Sequence, residues 1–320
     1  MDKNLARLTS RNPITNPDGS TTDSLVNAGG IHVNDGSLVR IDSSHIDGNV
    51  AVVDNPQGQA AVINSALQLT ISDIQMTNTS VNRNKAIARV KDIGDFGPFG
   101  GALQWCNLGT VTGLRAIENS TVVRSVAGDA GSGGAVFVGA TMCNGFDPGP
   151  TTLTNSVIKN NVATAIAHGG RADIFGAGMI TAASLTIDHV VVAGNRGFAT
   201  GDDGGTVQGG GIWNGAFPLP FLDGLHSNLT LDHAVITRNS LRGGSGEILS
   251  GGGIFTRDPI QRSATVVAGN SPDQCSGCAT VARSAGRLRA RSNRPLRRDT
   301  QTLRASIIAN GLANITRKGS

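Results

Sequence analysis

The chain has no tyrosine, two tryptophans, nine phenylalanines and only 16% charged residues. Of its 23 acidic residues just two are glutamates, Glu118 and Glu247. Glycine, in contrast, fills 44 of 320 positions, about twice ordinary usage. Poverty in Glu and wealth in Gly exclude a helical protein. No apolar run approaches the roughly 18 residues of a transmembrane helix. The scarce aromatics leave few flat platforms for sugars to stack on. Residues 1–19 hold no apolar stretch, so no secretion signal is visible. Disorder is excluded because 38% apolar residues can fill a core. Collagen is excluded because the glycines cluster without a period of three.

The charge is divided. Residues 281–320 carry ten of the 27 basic residues and one acid, Asp299, for +9. The remaining 280 residues carry 17 basic and 22 acidic groups, for −5. Basicity as a sign of nucleic-acid binding is therefore confined to the tail. The Arg-rich stretch 283–304 has no aromatic residue for base stacking and contains Pro295. A solvated loop or disordered tail is the favoured account of it, and a nucleic-acid partner is not expected.

Two phrases recur along the body. One is a glycine cluster before an apolar pair: GGIHV at Gly29, GGALQW at Gly100, GGAVFV at Gly133, FGAGMI at Phe175, GGGIWN at Gly209 and GGGIF at Gly251. The other is an apolar run closing on a small polar residue. With Asn49, Thr79, Ser125, Asn161, Asn195, Asn239 and Asn270 as closing residues, the position three earlier is always apolar. The position eight earlier is apolar in every copy except the last, where Arg262 stands. A further copy closes on Asn310. Strand-like pieces of three to five residues, variable loops and a polar residue held at a corner predict an all-β parallel solenoid of about seven to eight coils. Apolar residues would stack in columns, and the closing residues would bond along the stack as a ladder.

The alternation of these phrases resembles the right-handed parallel β-helix proteins of the pectin-lyase-like class. More narrowly, it is similar to the bacterial surface repeats related to chlamydial polymorphic membrane proteins, which carry GGA followed by Ile, Leu or Val, and FxxN. Gly133-Gly134-Ala135-Val136 and Gly100-Gly101-Ala102-Leu103 keep the first motif. The second departs, with Ile46, Ile158, Val192 or Ile236 in place of Phe. The resemblance covers about residues 29–271. It implies the fold and an extracellular or cell-surface location, and it implies no particular chemistry.

The organisation expected is an incomplete first coil or N-terminal cap at 1–28, a parallel β-helix at 29–280 and an Arg-rich tail with a last strand pair at 281–320. A natural chain extending further N-terminally is favoured over a short polar cap at 1–28. An open-ended stack is expected as a monomer or in end-to-end association.

Candidate chemistry is sparse. Cys106 and Cys143 stand about one coil apart, which favours a disulfide over two free thiols if the protein is secreted. For Cys275 and Cys278 a small structural disulfide is preferred to redox activity or half a zinc site. Asp188-His189 and Asp232-His233 share one register in successive coils. Together they would suit a metal or an acid–base pair, against the favoured alternative of a turn ladder. Gly201-Asp202-Asp203-Gly204 resembles the paired aspartates of polygalacturonase-like hydrolases. However, the histidine phrase at Ala167–Gly170 precedes it, the reverse of that family's order, so an acidic surface loop is favoured. No cofactor or metal is expected, with calcium entering only if the protein is a polysaccharide lyase. The function expected is non-catalytic presentation of loops to host or environmental glycans or proteins. The alternative is a lyase or glycoside hydrolase acting on an acidic glycan.

Overall fold

Burial alternates along most of the short strands, and this alternation builds the molecule. In Leu185–Asp188 the side chains of Leu185 and Ile187 are buried and those of Thr186 and Asp188 face outward; Leu229–Asp232 repeats the pattern. The β-branched and aliphatic residues thus meet a pleated surface with one dry face. The computed structural model describes residues 3–9, 14–15, 21–22, 24–26, 29–34, 38–70, 72–92, 100–139, 151–215 and 227–278. Among these the protein is all-β, without helix. The chain divides into Met1–Ala279 and Thr280–Ser320. The second unit, with Asn310 and the Arg-rich stretch, lies outside the described residues.

One repeat shows the plan. Leu185–Asp188, Val191–Ala193, Arg196–Gly201, Gly205–Gln208 and Ile212–Asn214 follow in order. Each pairs in parallel with the corresponding strand of the next repeat: Leu229–Asp232, Val235–Thr237, Ser240–Gly243, Glu247–Ser250 and Ile254–Thr256. The same pairing runs back to the repeat beginning at Thr151. Two of the resulting sheets are joined by the long strand Val50–Thr70. Among the described residues the one antiparallel pair is Ile14–Thr15 with Thr21–Thr22. Stacked parallel rungs of this kind are compatible with a β-helix-like repeat.

Apolar columns run through the stack. Ile187 stands in register with Leu231, and both are fully buried. Their column continues through Leu153, Val111, Met76 and Ile41. A second column passes through Ala116, Ile158, Val192 and Ile236 to Val267.

The ladder corrects the expected register at two rungs. Side-chain amides bond in the order Asn49, Asn84, Asn119, Asn161, Asn195, Asn239 and Asn270, at 2.8–3.0 Å. Thr79 and Ser125 are not members. Thr79 is a buried corner residue whose hydroxyl donates to the Thr77 carbonyl. Ser125 ends the strand after its corner and donates to the Lys91 carbonyl. An internal ladder residue accepts from one rung and donates twice, to the next side chain and to a backbone carbonyl; an amide carries two donor protons, a hydroxyl only one. Measured from Asn84 and Asn119, the apolar offsets fall on Met76 and Val81, and on Val111 and Ala116, all buried. Ile117 and Val122 are therefore not column members, and Ile71 lies outside the described residues.

Each internal amide is saturated. Asn195 Oδ1 accepts from Asn161 N at 3.0 Å and from Asn161 Nδ2 at 2.9 Å. Its Nδ2 donates to Asn239 Oδ1 at 2.8 Å and to the Ile158 carbonyl at 3.2 Å. At one end Asn4 donates to Asn49; at the other the Gln274 side chain accepts from Asn270 and donates back to its carbonyl. The residue before each ladder Asn has positive φ: Gly48, Arg83, Glu118, Asn160, Gly194, Arg238 and Gly269.

The two sequence phrases meet here. A Cβ on Gly211 would stand 2.6 Å from the Gly253 carbonyl oxygen and 2.8 Å from Asn239 Nδ2. Gly178 and Gly253 lie likewise against Asn195 and Asn270. The glycine clusters thus leave the room that the ladder occupies. Cys275 and Cys278 are bridged, with Cα atoms 5.9 Å apart, beside the closing Gln274. Cys106 is buried and is not a free thiol; Cys143 lies outside the described residues.

Candidate functional site

The corner that precedes the ladder collects the sequence candidates. Six residues before each ladder Asn the backbone again takes positive φ: Ser43, Asn78, Gly113, Asn155, His189, His233 and Ala264. Such a left-handed residue lets the chain turn between two short strands, and His is enriched there after Asn and Asp. The residue just before it forms an outward column: Asp42, Thr77, Thr112, Thr154, Asp188, Asp232 and Ser263. In most rungs this column is neutral, and Thr112 and Thr154 share a hydroxyl–hydroxyl bond of 2.8 Å.

A carboxylate stands at one end, where Asp42 accepts from the Thr77 hydroxyl, and at two adjacent rungs further along, Asp188 and Asp232, where histidines follow. His189 Nδ1 lies 2.6 Å from Asp188 Oδ1. His233 Nδ1 lies 3.1 Å from Asp232 Oδ1 and 3.7 Å from Asp188 Oδ1. The two imidazoles stack with centroids 4.7 Å apart and planes 13° from parallel. Four of the six candidate residues therefore share one half-exposed corner.

Asp202 and Asp203 do not join them. They form the turn between Arg196–Gly201 and Gly205–Gln208, at another corner of the rung. Asp202 Oδ2 accepts from Gly169 N at 2.7 Å, and Asp203 N donates to the Gly170 carbonyl at 3.1 Å. Neighbouring rungs repeat the device: Asp129 accepts from Arg171 N at 2.7 Å, and Glu247, at the start of its strand, from Gly201 N at 2.8 Å. The carboxylates of Asp202, Asp129 and Glu247 satisfy backbone amides of adjacent rungs, so they serve as caps.

One polar cluster escaped the sequence patterns. His45 Nδ1 lies 2.7 Å from Ser80 Oγ, and that hydroxyl lies 3.0 Å from both carboxylate oxygens of Asp47. Nucleophilic catalysis would need the imidazole between hydroxyl and carboxylate. Here the hydroxyl stands in the middle, donating to Asp47 and accepting from His45. The cluster borders a groove of about 690 Å³ lined also by Lys3, Arg83, Lys85 and Glu118. His45 and Ser80 are 35 residues apart and meet only because their rungs are neighbours, so no local motif announces them.

Neither tryptophan is open to solvent. Trp105 is in the main core. Trp213 is fully buried, edge-on to Phe175 at 5.5 Å, stacked with Phe255 at 6.4 Å and beneath the Arg257 guanidinium. No helix among the described residues is long and apolar enough to cross a membrane.

Fold and corner together define a class: an all-β protein of stacked parallel rungs, with a buried asparagine ladder on one corner and, on another, a Thr, Ser and Asp column that carries two stacked histidines. The chain matches no protein-family model, no curated protein and no solved structure.

Proposed function

We propose that residues 29–280 form a right-handed parallel β-helix of seven to eight coils, of pectin-lyase-like type and similar to the surface repeats of chlamydial polymorphic membrane proteins. In this reading the protein is secreted or surface-exposed and presents its loops to glycans or proteins of a host or environment, without catalysis. The observation that carries it is the use made of the turn carboxylates. Asp129, Asp202 and Glu247 are each committed to a backbone amide of a neighbouring rung, and a carboxylate so held is a poor acid or base for a substrate. Both tryptophans are buried, so neither supplies the exposed ring that is the usual floor of a sugar subsite; this counts against turnover of a glycan and favours proteins over glycans as partners.

The test is paired. Purified protein is assayed for retention on immobilised glycans and extracellular proteins, and for cleavage of uronic polysaccharides with and without calcium. Saturable retention without cleavage is the expected outcome. The second reading, a lyase or hydrolase acting on an acidic glycan, draws on the convergence of Asp188, His189, Asp232 and His233. Turnover abolished by Asp232→Ala or Asp202→Ala would replace the first reading with the second.

A further inference from the structure

We propose that the Asp188–His189–His233 corner is a binding site for a divalent late first-row metal ion, Zn²⁺ foremost, with Asp232 completing its charge. The inference does not depend on whether the protein is an adhesin or an enzyme.

Electrostatics comes first. Asp188 and Asp232 are register neighbours in adjacent parallel strands, about 4.8 Å apart along the stack. Like charges so placed repel. The neighbours beyond them in the column are neutral, Thr154 on one side and Ser263 on the other. Two stacked carboxylates thus occur beside two imidazoles, the one arrangement in the column that a dication would neutralise.

Unmet polar atoms come second. Asp232 Oδ1 and His233 Nδ1 are shielded from solvent and make no hydrogen bond, although they lie 3.1 Å apart. Buried polar atoms without hydrogen bonds are costly; coordination would satisfy His233 Nδ1, and the charge of the cation would offset Asp232 Oδ1 beside it.

The third point is reach and chemistry. One ligand atom each from Asp188, His189 and His233 lie within 4.8 Å of one another. About a tetrahedral zinc, bonds of about 2.0–2.2 Å put ligand atoms roughly 3.4 Å apart. Closing the difference takes small rotations of side chains that are 38–52% exposed. Two imidazoles with a carboxylate suit zinc, copper or nickel, whereas calcium and magnesium prefer oxygen alone.

The full chain, stripped with chelator, is titrated with Zn²⁺ by calorimetry and with Cu²⁺ by electron paramagnetic resonance. One-to-one saturable binding, nitrogen hyperfine splitting from two imidazoles, and a rise in melting midpoint reversed by chelator are expected. The variant His189→Asn with His233→Asn keeps the corner conformation, since Asn78 and Asn155 hold it in other rungs. It is expected to lose saturable binding at an unchanged far-UV spectrum, while His168→Gln retains it. Absence of saturable Zn²⁺ or Cu²⁺ binding by the wild-type chain overturns the proposal. So does full-stoichiometry binding by the double variant. Should that variant misfold, a Cu²⁺ spectrum of the wild-type protein lacking two nitrogens overturns it equally.

Discussion

Replacing Asn195 with alanine isolates what the ladder contributes. The side chain is fully buried and makes four hydrogen bonds. Truncation leaves two buried donors of Asn161, its backbone N–H and one Nδ2 proton, facing an apolar methyl. The Ile158 carbonyl and Asn239 Oδ1 each lose a donor, but Asn239 Oδ1 still accepts from Asn195 N at 3.0 Å. Counting only the two orphaned donors at about 1–3 kcal/mol each predicts a loss of roughly 2–6 kcal/mol. That is a large share of the ~5–15 kcal/mol by which a typical domain is stable. Asn195→Asp keeps the acceptor toward Asn161 but turns a carboxylate oxygen toward Asn239 Oδ1 and the Ile158 carbonyl. It should cost at least as much, because acceptor faces acceptor around a buried charge. The control is Asn228→Ala, an exposed residue with a single 3.4 Å contact to Ser184, expected within about 0.5 kcal/mol of wild type. Urea unfolding followed by far-UV circular dichroism and by the fluorescence of the two buried tryptophans measures all three. Equal midpoints for Asn195→Ala and Asn228→Ala would refute the idea that amide saturation holds the rungs together.

Two further outcomes are expected. Gly211→Ala places a methyl 2.6 Å from the Gly253 carbonyl oxygen and 2.8 Å from Asn239 Nδ2, and this overpacking should cost about 1–3 kcal/mol; Gly169→Asn, with nothing within 4 Å of its would-be Cβ, should be nearly neutral, and a reversed order in thermal melts would count against the glycine–ladder packing. Burial lowers the His32 pKa below its ordinary 6.5, so the unfolded chain takes up the proton first; the stabilisation is complete above pH 6.5 and is lost as pH falls through the lowered value, and His32→Gln should flatten that part of the melting midpoint against pH, whereas an unchanged slope would remove the attribution.

Much of the ladder was legible in the primary structure. Asn49, Asn161, Asn195, Asn239 and Asn270 stand out because each follows an apolar residue by three and another by eight, Asn270 excepted at eight. The same rule misplaced two rungs for a definite reason. Its two offsets differ by five, so a slip of five carries Met76 from the outer offset to the inner one. Thr79 then passes for a closing residue in place of Asn84. Ser125 gains its place differently, six residues late, from an unrelated apolar pair at the same two offsets, Ile117 and Val122. Apolar pattern alone does not separate these registers, because it records which side chains avoid water and not which backbone faces which. Hydrogen bonding between rungs does separate them: only the amides of Asn84 and Asn119 reach both neighbours.

The candidate sites divide along the same line. That Asp188-His189 and Asp232-His233 share a register is written in the chain. That their rings stack, that Asp202 is spent on Gly169 N, and that His45, Ser80 and Asp47 meet at all was decided by stacking. Spacing along one strand is a local property, which the order of residues determines. Contact between rungs 31–44 residues apart depends on the length of every intervening loop, and only the assembled sheets set it.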